Sequence, residues 1–209
     1  MKYLDLSSNK FNEMCALKCP RLEYLDISHN RIEKASEGWQ GHPNLKIFKS
    51  IENKFRNMKP FKDMPKLQEL YLANNIIGTL LGCDGLISLK KLHLRHNSIK
   101  QIEEEGVVEQ FPALEYLNLR TNKIAAMTEV YKLLQLPSLT SLNILNCPVE
   151  LGYSSMTVLI CQVLSHKPNP KITTFCKQPI TDTNRLYATY YAEQQWQKEE
   201  EKRKIEEEK

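Results

Sequence analysis

Residues 89–99 read Leu89-Lys90-Lys91-Leu92-His93-Leu94-Arg95-His96-Asn97-Ser98-Ile99. The core of this stretch, Leu92-His93-Leu94, alternates apolar and polar, the period-two pattern of a short strand with one buried face. Asn97 follows three residues later and Ile99 two after that. The same frame, L-x-x-L-x-L-x-x-N-x-I, recurs at Leu22, Leu25, Ile27, Asn30 and Ile32, at Leu67, Leu70, Leu72, Asn75 and Ile77, and at Leu114, Leu117, Leu119, Asn122 and Ile124. A looser copy runs Leu45, Phe48, Ser50, Asn53 and Phe55. A cut copy opens the chain with Leu4, Leu6, Asn9 and Phe11. The last runs Leu139, Leu142, Ile144, Cys147 and Val149.

The asparagines at 9, 30, 53, 75, 97 and 122, followed by Cys147, are spaced by 21 to 25 residues. That falls inside the roughly 20–29 residues of a leucine-rich repeat, whose consensus carries Asn or Cys at this slot. On these residues the chain resembles the intracellular leucine-rich-repeat family with repeats of the phosphatase-regulator type. The resemblance implies an α/β leucine-rich-repeat solenoid, with a curved parallel β-sheet on the concave face and short helices or 3₁₀ turns on the convex face. A C-terminal cap and an extended charged helix follow. One repeat cannot bury its apolar face alone, so the core forms only by stacking. At the point where the chain turns away from the sheet, the amides of Asn9, Asn30, Asn53, Asn75, Asn97 and Asn122, with Cys147, are placed to satisfy backbone groups that the turn leaves open.

Proline stands two residues before the first leucine in five copies, at Pro20, Pro43, Pro65, Pro112 and Pro137. It lacks an N–H and ends each convex segment before the strand begins. Residues 129–136 have apolar positions at helical spacing and predict a short convex helix. In the loose copy, Ser50 stands at a core position, and the bulkier Phe48 is expected to compensate.

The division expected is 1–150 for about seven repeats with the first incomplete, 151–182 for the cap and 183–209 for the helical tail. The chain opens inside a repeat with no capping helix before Leu4, which predicts either a longer protein seen in part or a partner over that edge. At the other end, residues 154–166 carry Met156, Leu159, Ile160, Val163 and Leu164 at helical spacing. Residues 171–176 predict a last strand, and Asp182 or Thr183 is expected to cap the tail helix. The tail lacks Gly and Pro and alternates Glu199-Glu200-Glu201, Lys202-Arg203-Lys204 and Glu206-Glu207-Glu208. It is read either as a solvated helix or as one that docks along another protein.

The net charge of +4 and pI of about 8.6 fall short of the strong basic stripe expected of a nucleic-acid-binding domain. No stretch reaches the roughly 20 apolar residues of a transmembrane helix, and Asp5 and Asn9 interrupt any signal-peptide core. The six cysteines form no C-x-x-C pair and are expected to be reduced core residues. No metal or cofactor is expected. Asp26, His29, His93 and His96 sit in none of the sequence contexts of hydrolytic or phosphate-binding sites, so the chain is read as not an enzyme.

Strand residues between the leucines must face the concave surface. Tyr and Arg are the side chains that most often anchor protein interfaces. The candidate partner-binding residues are therefore Tyr24, Asp26, Tyr71, His93, Arg95, Tyr116, Asn118 and Arg120. At finer grain, residues 67–150, including Leu136-Pro137-Ser138-Leu139 and Asn146-Cys147-Pro148, are similar to the leucine-rich-repeat proteins of the ciliary radial spoke. That similarity implies a cytoplasmic structural subunit of the ciliary or flagellar axoneme. Its partners would be radial-spoke proteins, with no membrane, small-molecule substrate or direct nucleic-acid contact. The alternatives are a regulatory subunit of a soluble enzyme such as a phosphatase, or a scaffold subunit of a ribonucleoprotein.

Overall fold

The computed structural model describes residues 1–166 and 171–207. Each repeat contributes a three-residue strand centred on the middle leucine position: β1 (Tyr3–Asp5), β3 (Tyr24–Asp26), β5 (Ile47–Lys49), β6 (Glu69–Tyr71), β7 (Lys91–His93), β8 (Tyr116–Asn118) and β9 (Ser141–Asn143). These pair in parallel and in exact chain order, with Leu4, Leu25, Phe48, Leu70, Leu92, Leu117 and Leu142 in register. The leucine, isoleucine and phenylalanine positions of the middle repeats are almost wholly buried in one continuous core. This is the parallel-sheet solenoid that the repeat spacing predicts.

The convex side varies. The first two turns carry a small parallel pair, β2 (Glu13–Met14) and β4 (Lys34–Ala35), where the sequence led us to expect 3₁₀ or α turns. Two-residue strands are too short to leave a periodicity. Further along are a 3₁₀ turn at Lys59–Phe61, α1 (Val107–Gln110) and α2 (Met127–Leu133). The last begins two residues before the expected 129–136 helix and ends three before it.

Phe48 is fully buried and packs among other aromatic rings. Its ring lies 5.4 Å from Phe61 and 6.1 Å from Trp39, and Trp39 Nε1 donates to the Pro60 carbonyl at 2.7 Å. Ser50 is fully buried, and its hydroxyl accepts from Asn53 Nδ2 at 3.3 Å.

Past the repeats come a 3₁₀ turn at Glu150–Gly152, α3 (Met156–His166), β10 (Thr174–Phe175) and β11 (Gln178–Pro179). β10 extends the sheet in parallel beside β9, and β11 turns back antiparallel. Among the described residues the sheet thus has nine strands. α4 (Asp182–Glu207) packs on α3 through a face that includes the buried Ala188. Its N-cap is Thr181, one residue before the positions expected. The Thr181 hydroxyl accepts from Asn184 N at 3.2 Å, and Asn184 Oδ1 accepts from Thr181 N at 2.9 Å. This reciprocal capping box uses asparagine at the third helical position. Arg185 then donates to the Ile172 carbonyl at 2.6 Å, tying the helix to the last strand. Leu186, Tyr187 and Tyr190 remain exposed on the far side of α4. Glu200 lies 3.6 Å from Arg203 and 3.8 Å from Lys204, the charge pairing expected of the tail. Glu208 and Lys209, which end that expected tail, lie outside the described residues.

Candidate concave interface

The asparagines sit at the inner end of each strand and bind two turns at once. Asn97 Nδ2 donates to the Leu94 carbonyl of its own turn at 3.0 Å and to the Leu72 carbonyl of the preceding turn at 2.9 Å, while its Oδ1 accepts from Ile77 N at 2.9 Å. Asn30, Asn53, Asn75 and Asn122 repeat the scheme, Asn53 reaching the Ser50 hydroxyl of its own turn as well as the Ile51 carbonyl. Asn9, in the first turn, donates only to Leu6 and Ser7 beside it. Cys147 closes the row, its thiol donating to the Leu119 carbonyl at 3.3 Å, and burial raises its pKa. The residue before each of these positions has a left-handed backbone: Ser8, His29, Glu52, Asn74, His96, Thr121 and Asn146 all have φ between 53° and 59°.

This rigid ladder fixes which side chains the sheet displays. The register lines up Tyr3, Tyr24, Ile47, Glu69, Lys91, Tyr116 and Ser141 in one row, and Asp5, Asp26, Lys49, Tyr71, His93, Asn118 and Asn143 in the next. Across these rows runs a stack of rings and one cation. Tyr3 and Tyr24 stack with centroids 4.3 Å apart. Lys49 Nζ lies 5.2 Å from the Tyr24 centroid and 5.7 Å from that of Tyr71. Tyr71 stacks on His93 at 4.5 Å, and His93 meets Tyr116 at 5.0 Å. Of the sequence candidates, Tyr24, Tyr71, His93 and Tyr116 are brought together here. Lys49 was not among them, although its row places it between Asp26 and Tyr71.

Local charges hold the stack in place. Tyr71 OH donates to Glu69 Oε2 at 2.6 Å, and Lys91 reaches Glu69 Oε1 at 2.9 Å. Burial and the Glu69 carboxylate together push the Tyr71 phenol up to about 12. Hydrogen bonds from Tyr71 and Lys91 in turn keep Glu69 below the usual carboxylate range. Burial between the rings lowers the pKa of His93. Tyr24 OH donates to Asp26 Oδ2 at 3.2 Å. Asp26 and Asn118 also do backbone work, accepting from Ser28 N at 2.9 Å and Arg120 N at 3.1 Å.

Arg95 and Arg120 lie two residues past His93 and Asn118, at the strand ends, so the face is polarised. Asp5 and Asp26 stand at its first strands and the two arginines toward its last. His29, which sits in no catalytic sequence context, pairs with Glu52 at 2.9 Å. Among the described residues no group of three or more His, Cys, Asp or Glu side chains could hold a metal ion, and all six cysteines are free, Cys83, Cys147, Cys161 and Cys176 being buried. No helix among them is long and apolar enough to cross a membrane. The face offers stacking area, cations and hydrogen bonds on a fixed lattice, the equipment of macromolecular recognition.

Repeat, ladder and sheet together make a leucine-rich-repeat solenoid. The "Leucine Rich Repeat" profile matches residues 21–42, and "Leucine Rich repeats (2 copies)" matches residues 87–132. Lumican of Rattus norvegicus is 31% identical over 122 residues, 56% of this chain and 36% of lumican. The geranylgeranyl transferase type-2 subunit alpha of the same species is 29% identical over 114 residues, 53% of this chain and 20% of that subunit. The match therefore spans about a third of rat lumican and a fifth of the transferase subunit. A chain in the crystal structure of the Drosophila melanogaster SNF/U2A′ complex superposes with TM-score 0.55 at 20% identity, covering 64% of this chain and 76% of that one. A chain in the TLR13–ssRNA13 complex gives TM-score 0.52 at 26% identity, covering 67% and 25%. These likenesses support the repeat family and the fold. Proteins built this way generally act as scaffolds for protein–protein interaction.

Proposed function

We propose that this chain is a non-catalytic scaffold that holds other proteins on its concave sheet face. The observation that carries the reading is the stack from Tyr24 through Lys49, Tyr71 and His93 to Tyr116. Hydrogen bonds and ring contacts hold these side chains before any partner arrives, so less rotamer entropy remains to be lost on binding. Aromatic groups held in this way are the usual anchors of protein interfaces.

The finer placement is as a structural subunit of the ciliary or flagellar axoneme, among radial-spoke proteins in the cytoplasmic compartment. It is supported by the similarity of residues 67–150 to the radial-spoke repeat proteins. A second reading, an RNA-containing assembly, draws on the likeness to the chain solved with ssRNA13. Affinity capture from ciliated and non-ciliated cells, with partners identified by mass spectrometry, separates these. Recovery of radial-spoke proteins from ciliated cells, reduced at least tenfold by Tyr71→Ala with Tyr116→Ala, is the expected result. Recovery of splicing or phosphatase subunits would overturn the ciliary placement and keep the scaffold.

A further inference from the structure

Two arginines, Arg95 and Arg120, and the buried Asn143 stand at the ends of β7, β8 and β9. Arg120 follows Asn118 by two residues, and Asn118 pairs with Asn143, so Arg120 is the diagonal neighbour of Asn143 on the sheet. Such diagonal neighbours lie about 7–8 Å apart at Cα, within reach of a long side chain. Arg95 occupies the equivalent position one strand earlier, and His96 N donates to the Arg120 carbonyl at 2.9 Å, which locks the two strand ends together. The Nε of Arg120 and the Nδ2 of Asn143 are both shielded from solvent with no hydrogen-bond partner, and Asn143 is only 2% exposed. The amide of Asn143 cannot turn to relieve this, because its Oδ1 already accepts from Leu145 N at 3.1 Å. No ion pair engages Arg95 or Arg120 among the described residues.

Buried donors are nearly always satisfied, and a charged one left open is costly. Where a fold keeps such donors together on its binding face, an acceptor supplied from outside is the economical explanation. We infer that Arg95 and Arg120, neighbours across β7 and β8, form a site for a carboxylate side chain of the partner protein, seated at the C-terminal end of the concave face. The inference rests on the concave face being the partner surface. A planar carboxylate takes two parallel bonds from one guanidinium. The surroundings agree: burial and the charges of Arg95 and Arg120 all lower the pKa of His96, as expected where positive potential is unbalanced.

A protein acid is favoured over a nucleic-acid phosphate by the rest of the face. A phosphate backbone laid along the sheet would have to pass Asp26 and Asp5, which would repel it, while Lys91 balances Glu69. A peptide can place one acidic residue at the arginines and a basic one toward Asp5 and Asp26.

The test uses fluorescence anisotropy at low ionic strength on the full chain. The probes are fluorescein-labelled hexaglutamate, hexalysine and a six-nucleotide oligouridine. Hexaglutamate is expected to bind the wild-type chain and to weaken at least tenfold in Arg95→Gln with Arg120→Gln. Lys123→Gln, an exposed cation off the face, is expected to change it less than twofold. Arg120→Gln is expected to keep or raise the melting temperature, since it removes an unpaired charge. Absence of hexaglutamate binding, equal binding of hexalysine, or tighter binding of oligouridine through the same arginines would each overturn the proposal. So would a lowered melting temperature with unchanged hexaglutamate affinity, which would make Arg120 a structural post. None of these results touches the capture experiment, which reads the scaffold through Tyr71 and Tyr116, so the two can fail separately.

Discussion

Asn97 and Thr121 show two opposite ways in which a single residue serves this solenoid. Asn97 donates to two carbonyls and accepts from one amide, all buried. Asn97→Ala strands those groups and should cost about 1–3 kcal/mol in chemical denaturation. An unchanged midpoint would mean that water replaces the amide. Thr121 is the reverse case. Its φ of 56° lies in the left-handed region, which costs an L-residue roughly 1–2 kcal/mol and a β-branched one most of all. Its hydroxyl is buried without a partner. What holds it there is the bond from its N–H to the Leu145 carbonyl at 2.8 Å. Thr121→Asn keeps that bond and tolerates the conformation, so it should stabilise the fold by about 1 kcal/mol; destabilisation in the same assay would show that the methyl packing matters more.

This pair also marks what the sequence makes legible at this scale. The asparagines are readable because their spacing repeats. The left-handed residue before each is not, because Ser8, His29, Glu52 and Thr121 share no preference for it. The ladder imposes that conformation, and Asn74 and Asn146 alone would have signalled it.

At the scale of elements, the three-residue strands are legible from the L-x-L core, since each must bury one face against its neighbours. The β2–β4 pair is not, because two residues carry no period. The start of α4 illustrates a finer miss. Asp182 and Thr183 are both good caps, and the choice of Thr181 is decided by Asn184 three residues on, through reciprocal bonds. Thr181→Ala removes the hydroxyl and should cost about 1 kcal/mol. The cost should appear as faster hydrogen exchange in the first turn of α4, with the repeats unaffected. Exchange unchanged throughout that turn would mean that Arg185, bonded to the Ile172 carbonyl, anchors the helix unaided.

At the scale of the molecule, two surfaces compete for the role of partner site. The concave face carries the fixed stack and the polarised charges. The far side of α4 exposes Leu186 at 70%, Tyr187 at 56% and Tyr190 at 61%. The face could be read in advance because the period of two dictates which residues point outward. The linking role of Lys49 and the unsatisfied donors near Asn143 could not, since both depend on side-chain positions across strands more than twenty residues apart in sequence. The difference between the surfaces is preorganisation: the rings of the face are held by one another and by Glu69 and Asp26, while the three α4 side chains point into solvent.

The most direct test of the scaffold reading is hydroxyl-radical footprinting of the captured complex against the free chain. Protection of Tyr24, Tyr71 and Tyr116, with Tyr187 and Tyr190 still reactive, is the predicted result. Protection confined to Tyr187 and Tyr190, with the concave tyrosines as reactive as in the free chain, would contradict it and move the partner site to α4.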